Sequence, residues 1–193
     1  MQWMPRRTIR CLLLPALACV MTLVGSARRV YAQSEESAEI NREYAIKAAY
    51  LYQFGRYVQW PAKAFSSPEA PFVIGVLDHD SLVSNLEQIA QAKKVQDRSI
   101  QVRRFSSAND VGPCHILFVS GLLTPKEQSE LIARLSGQNT LFVGDASSFL
   151  EGGGAVRFSV EDNKVHIHIA RKAAEHEGLT ISAKLLQVAH VVD

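Results

Sequence analysis

Pro71-Phe72-Val73-Ile74-Gly75-Val76-Leu77-Asp78-His79-Asp80 is the stretch that decides the fold. Six residues from Phe72 to Leu77 are apolar or glycine without interruption, and three polar residues close the run. A continuous apolar run of that length reads as a strand buried on both faces, the pattern of a parallel sheet with helices above and below. Ser81 then caps a helix through Gln91, with Leu82, Leu86 and Ile89 on one side. Ile100–Phe105 is a second strand of imperfect polarity, and Cys114–Val119 is another buried one. Thr124-Pro125-Lys126-Glu127 forms a capping box with proline at the first helical position. That helix runs to Leu135 and ends at Gly137, and Thr140–Val143 is the next buried strand.

Beyond this core the periodicity changes. Ala155–Val160 and Lys164–Ile169 alternate polar and apolar residues about the turn Glu161-Asp162-Asn163, which predicts an antiparallel hairpin. A short helix follows from Arg171 to Glu177, closed by Gly178, and Ser182–Val192 has the spacing of a final amphipathic helix. Upstream, Ile40, Tyr44, Lys47-Ala48, Leu51, Phe54-Gly55 and Val58 recur at helical intervals from about Ser37, and Trp60-Pro61 stops that helix. Strands separated by helices imply a three-layer α/β domain. Its mixed, largely parallel sheet has about six strands, with the hairpin at its edge.

The N-terminus is of another kind. Arg6, Arg7 and Arg10 precede an apolar run from Cys11 to Val24, and Val30-Tyr31-Ala32 offers small residues at alternate positions, with Ala27 as an earlier cleavage point. This is the layout of a secretory signal peptide, and the apolar run is shorter than the ~20 residues a membrane span needs. We therefore divide the chain into a cleaved signal, 1–32, and one domain, 33–193, soluble in the periplasm. The full chain carries 21 basic and 19 acidic residues, and the five arginines before residue 33, unaccompanied by any acid, leave the rest with three negative charges in excess. No basic footprint for nucleic acid remains. Cys11 and Cys19 depart with the signal, so Cys114 cannot close an internal disulfide and reads as a small buried core residue.

Candidate chemistry is sparse. Asp78 and Asp80 follow the first sheet strand and Asp145 the fourth, on the side where parallel sheets bind ligands. They could rim a small-molecule pocket or hold a divalent cation for hydrolysis, although helix caps and turns are the commoner use of aspartate there. A phosphoacceptor arrangement would need a lysine at another strand end, and Lys126 begins a helix one loop too late. His166 and His168 share a strand face and could begin a zinc site only if the fold brings up His79, His115, His176 or His190; an exposed hairpin face is the plainer reading. Gly152-Gly153-Gly154 precedes a strand rather than a helix and so reads as a flexible turn, not a phosphate loop. No catalytic set or cofactor motif stands out, so an enzyme is not expected. Tyr50, Tyr52, Phe54, Tyr57 and Trp60 spread around the first helix and its exit, and Tyr50, Phe54, Tyr57 and Trp60 are the candidate partner-binding residues.

Four segments, Lys47–Phe54 through Trp60-Pro61, Pro71–Leu77, Cys114–Ser120 and Ile181–Leu186, stand in the order in which they occur in the YfiR family of periplasmic regulators, and the chain resembles that family over nearly all of 33–193. The resemblance implies a helix-flanked mixed sheet. It implies a protein that binds and represses the periplasmic sensor region of an inner-membrane signalling enzyme, a diguanylate cyclase, so lowering cyclic di-GMP and biofilm formation. It also implies sequestration by an outer-membrane-associated lipoprotein, and a homodimer. The best-studied relatives have paired cysteines; the lone Cys114 departs from them, and redox control by an internal disulfide is not implied here. A periplasmic small-molecule-binding module linked to another signalling or receptor system is the alternative.

Overall fold

The computed structural model describes residues 38–192. The chain divides into two compact units, 1–40 and 41–193, and the sheet with the helices packed on it belongs to the second. The signal, its cleavage points, Cys11 and Cys19 lie outside the described residues.

Helix α1 is assigned over 38–57 and passes directly into the two-residue strand β1 (Val58–Gln59). A 3-10 turn at Ala62–Ala64 leads to β2 (Phe72–Leu77), α2 (Asp80–Ala92), β3 (Lys94–Val95) and β4 (Arg98–Phe105). Then come β5 (Ile116–Val119), α3 (Pro125–Leu135), β6 (Leu141–Gly144), β7 (Val156–Glu161) and β8 (Lys164–Ala170). The chain ends in α4 (Arg171–His176), β9 (Thr180–Ile181), α5 (Ala183–Leu186) and β10 (His190–Val192). The main sheet has eight strands in the order β10-β8-β7-β6-β5-β2-β4-β3, and β1 pairs antiparallel with β9 apart from it. Every pairing in the main sheet is parallel except β7 with β8 and β3 with β4.

The sheet separates two cores, and the strand side chains alternate between them. Phe72, Ile74, Val76, Ile116, Phe118, Leu141 and Val143 face one core, closed by Ala48, Leu51 and Phe54 of α1 and Leu82 and Leu86 of α2. Val73, Leu77, Leu117, Val119 and Phe142 face the other, closed by Leu131, Ile132 and Leu135 of α3 and by Phe149. Strands covered twice must be apolar at every position, which is why β2, β5 and β6 read as unbroken hydrophobic runs. Past β6 only the α1 side is covered. Val156, Phe158, Ile167 and Ile169 point into that core, while Arg157, Ser159, His166 and His168 stay partly exposed on the opposite face. Alternation there records a sheet covered once.

The capping box forms as read: Thr124 Oγ1 accepts from the Glu127 amide, and Glu127 Oε2 accepts from the Thr124 amide at 2.8 Å. The hairpin turn places Asp162 and Asn163 at φ 49° and 59°, the two left-handed positions of a type I′ turn. Three expectations change. The sheet has eight strands rather than about six, because β3 and β10 extend it. Ser182–Val192 is not one helix: α5 stops at Leu186, and His190–Val192 pairs in parallel with His168–Ala170. Val191 and Val192 are β-branched and satisfy their backbone in the ladder, which overrides the helical spacing of Leu185, Val188 and Val192. The hairpin is therefore interior at β8, and the edge is β10.

Candidate functional site: the strand ends and the outer face of the first helix

The carboxyl ends of β2, β5 and β6 gather polar groups around a side chain the sequence did not single out. Lys47 lies on α1 between residues of the apolar stripe, and its side chain is only 3% exposed. Its Nζ meets Glu43 Oε1 at 2.7 Å and Asp145 Oδ2 at 2.8 Å. Asp145 Oδ1 accepts from the Gly121 amide at 2.8 Å, so one carboxylate ties α1 to the ends of both β5 and β6. The Lys47 ammonium also stands 4.7 Å from the Tyr44 ring centre. Tyr44 in turn packs on His79 with centroids 3.9 Å apart.

The electrostatics make this a clamp rather than a reactive centre. Burial pushes the Lys47 ammonium down, but the Asp145 charge and hydrogen bond, followed by Glu43, outweigh it and hold Lys47 above its ordinary value. A nucleophilic or basic lysine needs the opposite shift. Burial also raises the Tyr44 phenol and holds His79 below the usual histidine range, and among the described residues the buried His79 Nδ1 has no hydrogen-bond partner.

The three aspartates have different surroundings. Asp145 is engaged with Lys47. Asp80 is exposed at the start of α2 and pairs with Arg104 at 2.7 Å. Asp78, at φ 57°, lines a cleft of about 540 Å³ on the α3 side with Asn109, Glu127, Glu130 and Arg134. Only Asp78 of the three borders that cleft. Neither Asp78 nor Asp80 caps α2 with its side chain; His79 occupies the cap position without a side-chain bond.

The aromatic residues divide likewise. Phe54 is fully buried between Tyr50 and Phe158, with centroids 6.3 and 5.9 Å away, and this removes it from any contact surface. Trp60 is half-buried, edge-on to Phe72, with its indole N–H donating to the Asn139 carbonyl at 3.0 Å. Tyr50 and Tyr57 are half-buried. Arg56 is exposed, its guanidinium 5.9 Å from the Tyr52 ring and 5.8 Å from the Tyr57 ring. The outer face of α1 thus presents Tyr52, Arg56 and Tyr57 together.

Two buried groups at the opposite, amino-terminal end of the sheet serve the fold. Burial pushes the Cys114 thiol up to about 12, so it stays a thiol at neutral pH. His115 Nδ1 accepts from the Val73 amide at 2.9 Å, so the proton is on Nε2, which donates to the Ala64 carbonyl at 3.1 Å. The ring stacks between Phe65 and Phe72. Burial, chiefly, depresses its pKa below the ordinary 6.5. The unfolded chain therefore binds this proton more readily, and stability falls as pH drops through about 6.5 toward the lower folded value. Urea unfolding at neutral pH and near pH 5 checks this: the midpoint is expected to fall on acidification, and the fall to shrink in His115→Gln.

Among the described residues no helix is long and apolar enough to cross a membrane. The family model described as YfiR/HmsC-like matches residues 44–190, from Tyr44 in the Lys47 cluster to His190 on the edge strand. A search of the curated proteins returned no match.

Proposed function

The chain belongs to the YfiR/HmsC-like family, and on that footing we propose that it is an exported regulator that binds the periplasmic sensor region of an inner-membrane diguanylate cyclase and holds it inactive. The family match over 44–190 carries the reading, because members of this family are regulators of membrane signalling proteins rather than enzymes. The unreactive state of Lys47 and Cys114 agrees with a protein that acts by contact. Residues 1–32 would direct export. Repression is a population shift: the regulator binds one conformation of the sensor region more tightly than the other. An outer-membrane-associated lipoprotein that captures the regulator would relieve it, and a homodimer is the proposed acting form.

The contact surface we assign is the outer face of α1, where Tyr52 and Tyr57 stand half-buried beside the exposed Arg56, with Tyr50 half-buried farther up the helix. Tyrosine and arginine dominate interface hot spots because they bury large area at low entropic cost. Trp60 at the helix exit supports this face through its hold on Asn139. Deleting the gene should raise cellular cyclic di-GMP and surface attachment, and the wild-type gene should restore both. Arg56→Glu should fail to restore them while melting like the wild type. Unchanged cyclic di-GMP in the deletion strain would remove the cyclase from the account.

The cleft beside Asp78 favours a second reading, a small-molecule-binding module. Its volume, about 540 Å³, lies within the usual range for ligand sites. A periplasmic metabolite that raises the melting temperature of the wild type but not of Asn109→Ala would support it.

A further inference from the structure

The face of the sheet that α3 leaves bare carries three histidines. On β8, Ile167 and Ile169 enter the core, which turns His166 and His168 to the other side. Parallel pairing sets His190 of β10 directly beside His168. The His190 ring centre lies 5.2 Å from that of His168 and 6.1 Å from that of His166. Two imidazoles bound to one tetrahedral ion, each nitrogen about 2 Å from the metal, have ring centres about 5 Å apart. The His168–His190 spacing set by the strand ladder is therefore that of a chelating pair, and the His166 ring lies about an ångström farther from His190.

The hydrogen bonds fix which nitrogen of His168 is free. Ser159 Oγ donates to Glu161 Oε1 at 3.2 Å and lies 2.9 Å from His168 Nε2. A hydroxyl has one proton, so Ser159 must accept from His168 Nε2–H, and the lone pair is on Nδ1. A carboxylate acting through a hydroxyl on the far nitrogen is the outer-shell support that orients metal-binding histidines. Among the described residues no hydrogen bond engages the rings of His166 and His190, so ligation takes nothing from the fold.

The charges facing His168 are Arg157 and Glu161 on β7 and the two other histidines. Burial first, then Arg157 and His190, hold it below the usual histidine range. Among the described residues no three ligating groups already surround one point, so binding requires the rings to turn inward. His190 is exposed on the edge strand and is free to do so.

We propose that His166, His168 and His190 bind one divalent late-transition-metal ion across the β8–β10 seam, with water completing its shell. An all-imidazole set suits zinc, nickel and copper(II) rather than magnesium or calcium, which prefer oxygen. The site joins β10 to the hairpin and is independent of the partner surface on α1.

The test is calorimetric titration of the metal-stripped protein, without any purification tag, with Zn²⁺ and with Cu²⁺ at about neutral pH. One ion per chain is expected, together with a rise in melting temperature. His166→Ala and His190→Ala should each weaken binding by about tenfold or more. Ser159→Ala should weaken it by about tenfold through the lost outer-shell bond. His176→Ala, an exposed histidine on α4, should bind as the wild type does. Metal-induced shifts of the ring nitrogens of all three histidines in the wild type provide a readout that needs no variant. Binding well below one ion per chain, ring shifts confined to other histidines, or equal affinity in His166→Ala and His190→Ala would overturn the proposal.

Discussion

Gly154→Ala is expected to lower stability by about 3 kcal/mol or more, the upper part of the range for overpacking a core. A Cβ at residue 154 would clash with Cδ1 and Cε1 of the Phe149 ring and lie 2.8 Å from the Phe149 carbonyl oxygen. The ring has no room to retreat. Its other side meets Gly144, where a Cβ would lie 2.6 Å from Phe149 Cδ2, and Phe149 itself is fully buried in the α3-side core. The backbone is equally held, because the Gly154 amide donates to the Phe149 carbonyl at 2.9 Å and the Ala155 amide to Phe142 at 3.0 Å. Urea unfolding of a double-mutant cycle checks this. Phe149→Ala alone should cost about 3–5 kcal/mol. In that background Gly154→Ala should add little, because the ring it meets is gone. A cost below about 0.5 kcal/mol for Gly154→Ala in the wild type would show that the loop yields, contrary to this account.

The same loop shows where sequence reasoning stops. Gly152–Gly154 reads as a flexible turn because consecutive glycines relax the backbone, yet two of the three have separate structural duties. Gly153 supplies φ 98°, and Gly154 leaves the space that Phe149 fills. Nothing local announces that an aromatic ring five residues earlier folds back onto it. Patterns that depend on neighbouring residues were legible: the Thr124–Glu127 box, the Asp162-Asn163 turn and the contrast between unbroken and alternating strands. Elements whose existence depends on distant pairing were not. β1, β9 and β3 are two residues each, too short for any periodicity, and β10 is a strand only because β8 offers it a ladder.

The Lys47 clamp escaped for the same reason. Lys47 and Asp145 are 98 residues apart, whereas a lysine opposite the aspartates is expected at another strand end, and Lys126 begins a helix one loop too late to supply it. The partner came instead from the helix before the sheet. The one local sign was a charge in an apolar helical stripe, between Tyr44 and Leu51, where a lysine without a counter-ion would be costly. A buried lysine in such a stripe calls for a carboxylate, and only the topology says which.

That clamp leads to the second large effect: Lys47→Ala should destabilise the fold by about 3 kcal/mol, the lower end for breaking a buried pair. The lower end applies because Asp145 and Glu43 keep 18% and 28% exposure, so water partly solvates the carboxylates left behind. The loss should shrink as pH rises through the alkaline range, because Lys47, held above its ordinary value, contributes its pairing only while it is protonated. Asp145→Asn should cost less, since its amide oxygen can still accept from Gly121 while the charge attraction to Lys47 is lost. Lys47→Met with Asp145→Asn should recover part of the stability, because it leaves only the more exposed Glu43 carboxylate without its partner. Urea unfolding of the three variants reads these differences. If Lys47→Ala were neutral at pH 7 and insensitive to pH, the ion pair would not hold α1 against the strand ends. The orientation of α1, and with it the Tyr52–Arg56–Tyr57 face assigned to the partner, would then rest on the apolar contacts of Ala48, Leu51 and Phe54 alone.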